Sequence, residues 1–458
     1  MPRRSSHAQW IATALAHALL ADADQPAARS RTVLTDRLRA CLDMRVTAPL
    51  RALATALARQ PQPFWQRHTV PTLARQLQDM AAFQQLLQGA PLRVRRWLLR
   101  PARMRDQTPG LPAPLPLPQW PTPVDLAQGL GISTAELDWL CHPALGWRDE
   151  PHARASRRVA PHYRCVLRPK ARGGLRLIEA PLPLLKRVQR RLLVQLLEHV
   201  PAHERAHGFV RGRDVASHAQ LHAGRPFVMT FDLRDFFNSV GAGRIHALWR
   251  SLGYPEGTAR RLVALTTTRT PAAVRARLRE DGGIGFMGDR RLASAHLPQG
   301  APTSPALANL CAFGLDLRLS GLAERFGAVY SRYADDLVFS GPASLGRRAR
   351  VLQAWVSAIA ESEGFALHPL KTRRLPAHRR QRVTGLVINQ RPNLARADYD
   401  RLRAELHRLA GQSAVDPALR AHLRGRLAWA ARFVCASRAR KLERLFGQID
   451  FAPPATAS

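Results

Sequence analysis

Apolar residues recur every three or four positions through most of residues 5–107, as at Leu73, Leu77, Met80, Phe83 and Leu87, and that period predicts helices. Ser5 or Ser6 is placed to begin the first, an Ala- and Leu-rich amphipathic run. The pattern stops at 109–123, where proline occupies every second or third position. Such density fits neither a helix nor a central strand and favours extended polyproline II, so a semi-rigid linker is expected over 108–124. A short helical pair is expected at 124–148, with Ser133 or Thr134 capping residues 135–140. From about Tyr163 to about 390 strand and helix patterns mix. Residues 394–448 return to a helical period, and 453–458 read as disordered.

Two stretches of the mixed region read as strands. At 227–232 the alternation puts Phe227, Met229 and Phe231 on one face and Val228, Thr230 and Asp232 on the other. Asp232 thus ends the strand on a defined side, while Asp235, three residues on, points away. At 329–340 β-forming residues flank Asp335 and Asp336, the pattern of a hairpin with its acids at the tip. Between them, Leu297, Pro298, Gln299 and Gly300 make a tight turn that can present the Gln299 amide to a substrate. Ser304 is the expected N-cap and Pro305 the first residue of a helix that runs to 317 under the sheet.

Charge changes the picture. The 458 residues have room for two to three domains, yet 70 Lys and Arg against 33 Asp and Glu leave a net charge of +37. An excess this large, spread along the chain, points to a polyanion as partner, nucleic acid before an anionic membrane surface. No stretch approaches the roughly 20 apolar residues of a spanning helix, so a cytoplasmic protein is expected. Nearly all the positive charge is arginine; lysine occurs only at Lys170, Lys186, Lys371 and Lys441. Ammonium and guanidinium differ in size and donor geometry, so these four stand out. Five scattered cysteines without a C-x-x-C pair fit a reducing compartment and argue against structural zinc. His218 and His222 share a helix face, but no third metal ligand accompanies them.

Asp335 and Asp336 repel each other, and a fold that aims both the same way needs a cation beside them. Mg²⁺ takes oxygen ligands, commonly one or two carboxylates plus substrate phosphates. A metal shared with Asp232 would join two strands of one sheet, the arrangement used in two-metal phosphoryl transfer.

The order Asp232 to Phe236-Phe237, then Leu297-Pro298-Gln299-Gly300-Ala301-Pro302 through Pro305, then Tyr333-Ala334-Asp335-Asp336 resembles the reverse transcriptases, specifically the bacterial retron type. Matching blocks continue upstream at 163–178, Pro181, 185–189, His207-Gly208-Phe209 and Arg211-Gly212-Arg213. Downstream they continue at 368–372 and 383–389. Val383-Thr384-Gly385 favours the retron type, as does 218–222, which is similar to the retron Asn-Ala-x-x-His box with His218 in the Asn position. His368 likewise stands where the family usually has Asn. The resemblance spans roughly 125–390.

It implies an α+β right-hand polymerase with fingers, a ferredoxin-like palm and a helical thumb, behind an all-helical N-terminal extension. The expected divisions are the extension at 1–107, the linker at 108–124, fingers and palm at 125–389, the thumb at 390–450 and a disordered tail at 451–458. Asp232, Asp335 and Asp336 would be catalytic and hold two Mg²⁺. Lys170 and Arg176 would grip the incoming triphosphate, Phe237 would exclude a 2′-hydroxyl, and Gln299 would line the sugar pocket. Lys371 could protonate the leaving pyrophosphate. The implied partners are dNTPs, a structured non-coding template-primer RNA, its RNA–DNA product, and an effector protein encoded nearby. The implied product is branched msDNA, used in antiphage defence. The alternatives are another bacterial defence-associated or group II intron-like reverse transcriptase without a branched product, and a catalytically silent RNA-binding protein. The intact Asp232, Asp335 and Asp336 argue against the last. No ribonuclease H-like acidic constellation, zinc motif or endonuclease motif is legible after the thumb.

Overall fold

The computed structural model describes residues 6–21, 23, 26–42, 44–89, 91–98, 115–142, 162–170, 173–412 and 415–451. Residues 99–114, which include the end of the expected extension and the first seven residues of the expected linker, lie outside them. So do Ser5, positions 143–148 of the expected helical pair, and 452–458 of the expected tail. The chain divides into two compact units, residues 1–103 and 104–458.

The first unit is helical among its described residues. Its helices are His7–Leu20, Arg31–Leu42, Ala48–Ala58, Gln62–Arg67, Val70–Asp79 and Ala81–Gln88. Ser6 caps the first by accepting a hydrogen bond from the Gln9 amide, and Thr47 does the same for Leu50. The apolar stripes meet in one core that includes Leu15, Leu34, Leu53, Leu73 and Phe83. The single run expected through 73–87 breaks at Met80, whose extended backbone separates two helices while keeping Leu77 and Phe83 in that core.

Among its described residues the second unit carries eight strands: β1 (Tyr163–Pro169), β2 (Leu175–Pro181), β3 (Phe227–Asp232), β4 (Val329–Tyr333), β5 (Asp336–Gly341), β6 (Arg373–Pro376), β7 (Arg382–Val383) and β8 (Leu386–Val387). β1 and β2 form a separate hairpin, and so do β7 and β8. The remaining four make one antiparallel sheet in the order β4-β5-β3-β6. β3 alternates as its sequence predicts: Phe227, Met229 and Phe231 enter the large core, Val228 enters a smaller cluster, and Thr230 and Asp232 line a cleft.

Helices Ser304–Cys311 and Phe313–Arg325 bury Leu307, Ala308, Leu315 and Leu319 in the same core. The single helix expected through 317 is therefore two, bent by 50°. Ser304 is already helical and Thr303 is the capping position, because the Thr303 backbone has αR angles and carries the turn into the helix. Among the described residues no single helix is long and apolar enough to cross a membrane; the bent pair has the composition, but its apolar face is buried as above. Helices Arg396–Ala410, Ala418–Ala431 and Ala436–Gly447 close on a core of their own around Leu402, Leu406, Leu427 and Leu442. All five cysteines are free thiols.

Candidate active site

Asp232 is the last residue of β3 and stands opposite Asp336, the first residue of β5. Asp335 lies in the two-residue turn between β4 and β5, beside Ala334, whose φ of 56° is left-handed. That conformation costs an L-residue roughly 1–2 kcal/mol, so the surroundings must hold it. Three contacts do. The Leu233 amide donates to the Asp335 carbonyl at 2.8 Å, and Arg332 Nη1 donates to the Ala334 carbonyl at 3.0 Å. Gly208 packs so closely that a Cβ on it would come within 2.6 Å of the Ala334 nitrogen. On the other side, the His368 amide donates to the Asp232 carbonyl at 2.7 Å and fixes the end of β3.

The three carboxylates feel one another. Burial, then Asp232, pushes the Asp335 carboxyl above its ordinary range, against the pull of Lys371 and Arg176. Burial, then Asp335 and Asp232, pushes Asp336 up to about 7, against Lys371 and Arg373. Lys371 supplies the nearest cation: its Nζ lies 2.8 Å from Asp232 Oδ2. Asp232, Asp336 and Lys371 line a cleft of about 390 Å³ together with Arg373, Arg382, Thr384 and Gly385. Among the described residues no three His, Cys, Asp or Glu side chains form a complete metal-ligand cluster. What the site offers is a shared negative potential, partly neutralised by an ammonium, from carboxylate oxygens of the type hard cations take as ligands.

The other expected residues divide. Arg176 is exposed on β2, and its charge is among those that lower the Asp335 carboxyl. Gln299 is half-buried, and its carbonyl accepts from the Glu179 amide at 2.8 Å. Gly300 makes that contact possible: its φ is +134°, and a Cβ would meet the Glu179 carbonyl oxygen at 3.0 Å. The Glu179 carboxylate accepts from Thr270 Oγ1 at 2.7 Å and lies 3.1 Å from His296 Nε2. β2, with Arg176, is thereby tied to the turn that carries Gln299. Phe237 is half-buried with its ring 6.2 Å from that of Phe209. Lys170 is exposed immediately after β1.

His218 and His222 are fully buried. His222 places Nδ1 2.7 Å from Ser340 Oγ and Nε2 2.7 Å from Ser331 Oγ, which staples helix Val215–His222 to β4 and β5. The His218 ring packs 5.7 Å from Tyr333, and burial lowers its pKa to about 3, so it is neutral. The pair thus supports the β4–β5 hairpin.

Residues 168–388 match the family model described as reverse transcriptase (RNA-dependent DNA polymerase), which places the mixed helix-and-sheet fold among the right-hand polymerases. Retron Mx65 reverse transcriptase of Myxococcus xanthus is 40% identical over 321 residues, covering 68% of this chain and 68% of that protein. Retron Mx162 reverse transcriptase of the same organism is 40% identical over 272 residues, covering 58% of this chain and 52% of that one. Retron Ec86 reverse transcriptase of Escherichia coli is 31% identical over 236 residues, 51% of this chain and 65% of the relative. This chain belongs to the retron-type reverse transcriptases and is an RNA-directed DNA polymerase.

Sequence reasoning missed a group behind the turn. Arg332 is fully buried and pairs in two-pronged fashion with Asp316: Nε to Oδ1 at 2.8 Å and Nη2 to Oδ2 at 2.6 Å. In an arginine-rich chain one more arginine carries no signal. Only its place inside a strand, between Tyr330 and Tyr333, could have pointed to it.

Proposed function

We propose that Asp232, Asp335 and Asp336 form the polymerase centre of a retron enzyme that copies part of its own structured RNA into branched msDNA. The observation that carries this reading is the β3–β5 register, which sets Asp232 opposite Asp336 beside the Asp335 turn. These carboxylates would hold two Mg²⁺, which when bound lower the pKa of the attacking hydroxyl and neutralise the triphosphate. The four-stranded sheet is then the ferredoxin-like palm, the β1–β2 hairpin belongs to the fingers, and the helices from Arg396 to Gly447 are the thumb. Arg176, with Lys170 moving in from the hairpin end, grips the triphosphate. Phe237 and Gln299 bound the sugar, and Phe237 rejects a 2′-hydroxyl. Lys371, already among the carboxylates, gives a proton to the departing pyrophosphate. The exposed arginines of the thumb hold an RNA stem by its phosphates and 2′-hydroxyls.

Branching, by the family resemblance, starts from a 2′-hydroxyl of a guanosine in that RNA. The retron relatives support this reading, and antiphage defence follows as its biological use. Cells co-expressing the chain and its cognate RNA should accumulate DNA joined to RNA through a 2′–5′ bond, released by a debranching enzyme. Asp335→Asn should abolish that product, and primer extension in vitro, while RNA binding stays within about twofold. Full activity of Asp335→Asn refutes the carboxylate assignment. Linear product alone refutes branching and favours the reverse transcriptase without a branched product.

A further inference from the structure

We propose that Arg332 is a positioning residue for polymerisation: with Asp316 and Asn309 it forms a buried brace that sets the metal-binding geometry of the Asp335–Asp336 turn. The proposal rests on the reading of those carboxylates as metal ligands.

Every donor of the Arg332 fork that the structure assigns ends on a group that matters to the turn. Nε and Nη2 both go to Asp316, in the first turn of helix Phe313–Arg325. Nη1 reaches the Ala334 carbonyl at 3.0 Å and Asn309 Oδ1 at 2.9 Å. Asn309 is itself 2% exposed, and its Nδ2 donates to the Gly208 carbonyl at 2.8 Å. Gly208 is the residue whose backbone abuts Ala334. The path closes on itself: Arg332 holds Ala334 directly, and through Asn309 holds the segment that presses against Ala334 from outside. Backbone bonds add to this, from the Arg332 amide to the Arg205 carbonyl at 2.8 Å and from the His207 amide to the Arg332 carbonyl at 2.7 Å.

Stability alone accounts poorly for this expenditure. Both members of the Arg332–Asp316 pair are fully buried, and burying two charges costs several kcal/mol per ion before their attraction returns it. Apolar residues of similar volume commonly do as well. A buried ion pair retained at such cost fits a geometric task, and here the geometry is that of an unfavourable left-handed Ala334 next to two mutually repelling carboxylates. A guanidinium is suited to it because its planar fork serves the carboxylate and two further acceptors at once, which an ammonium cannot.

The test separates positioning from folding. A structural role lowers the fraction of folded molecules but leaves the Mg²⁺ concentration dependence of the remainder unchanged. A positioning role shifts it. We would compare wild type, Asn309→Ala, Arg332→Lys and the apolar double variant Arg332→Met/Asp316→Leu. One readout is the Mg²⁺ concentration that half-saturates the heat of binding in a calorimetric titration of the folded protein, which reports binding without catalysis. The other is kcat per active site on a primed RNA template.

Each brace variant should raise the half-saturating Mg²⁺ at least threefold, and the double variant should lower kcat on the order of 100-fold, as about an ångström of misplacement can. If the double variant does not fold, Asn309→Ala, which leaves the ion pair intact, carries the test alone. Leu352→Ala is the matched control: Leu352 is fully buried in the same core on helix Ala349–Ser362 and its side chain makes no hydrogen bond to the brace, so it should lower stability with unchanged Mg²⁺ affinity. Unchanged Mg²⁺ half-saturation and kcat in the folded brace variants overturn the proposal. Asp335→Asn run alongside keeps the two readings apart. If it is dead while the brace variants behave as wild type, only the brace fails; if it is active, the carboxylate reading fails and takes the brace with it.

Discussion

Asp336 concentrates the electrostatic problem of the site in one side chain. Its carboxyl, pushed up to about 7 by burial and its neighbours, would rather be neutral in the folded protein than in the unfolded chain, where it titrates near 3.9. The raised value means that the stability it confers is present below the unfolded pKa and is lost as pH rises towards 7. Without divalent cation, Asp336→Asn should therefore melt higher than wild type at pH 8, with the gap shrinking towards pH 4, and Mg²⁺ should close the gap at pH 8 by stabilising only the wild type. A gap independent of pH would show that Asp336 is not strained in this way. Phe237 poses a steric question instead. Phe237→Ala should admit ribonucleotides, raising their incorporation relative to deoxynucleotides at least tenfold in primer extension. Unchanged sugar discrimination would remove it from the sugar pocket.

At the scale of elements, the catalytic hairpin depends on backbone contact as much as on side chains. Gly208→Ala drives a methyl into the Ala334 amide, so either the 207–209 segment or the turn must shift. Activity should fall on the order of 100-fold while the melting temperature drops only modestly; wild-type activity would mean the turn tolerates displacement. Such contacts explain what the sequence could and could not reveal. β3 and the β4–β5 hairpin were legible because strict alternation and an acidic turn leave few other arrangements. The breaks at Met80 and Ala312 were not, since neither residue is a glycine or proline and the apolar period runs on across both. Asn309 and Asp316 read as unremarkable polar positions of an amphipathic helix, because burial among long-range partners is invisible to local pattern. Lys170 was placed by resemblance alone, and the hairpin that bears it stands apart from the sheet.

Across the whole molecule, function is divided between parts with different kinds of support. The carboxylates belong to a sheet embedded in the largest core, the cationic helices from Arg396 onward have a core of their own, and residues 1–103 form another unit with an independent core. The net charge of +37 is spread over both units, each of which carries more Lys and Arg than Asp and Glu.

The strand order β4-β5-β3-β6 has one more consequence. The two strands that end in carboxylates are the two interior ones, each hydrogen-bonded along both edges, whereas the β1–β2 hairpin that carries Arg176 has only its own two strands. Amide protons of β3 and β5 should exchange with solvent only in the rarest openings of the fold, and those of the hairpin far more often. On the proposed assignment of roles, the carboxylates that would make the bond are held still, and the hairpin that would grip the nucleotide is free to breathe.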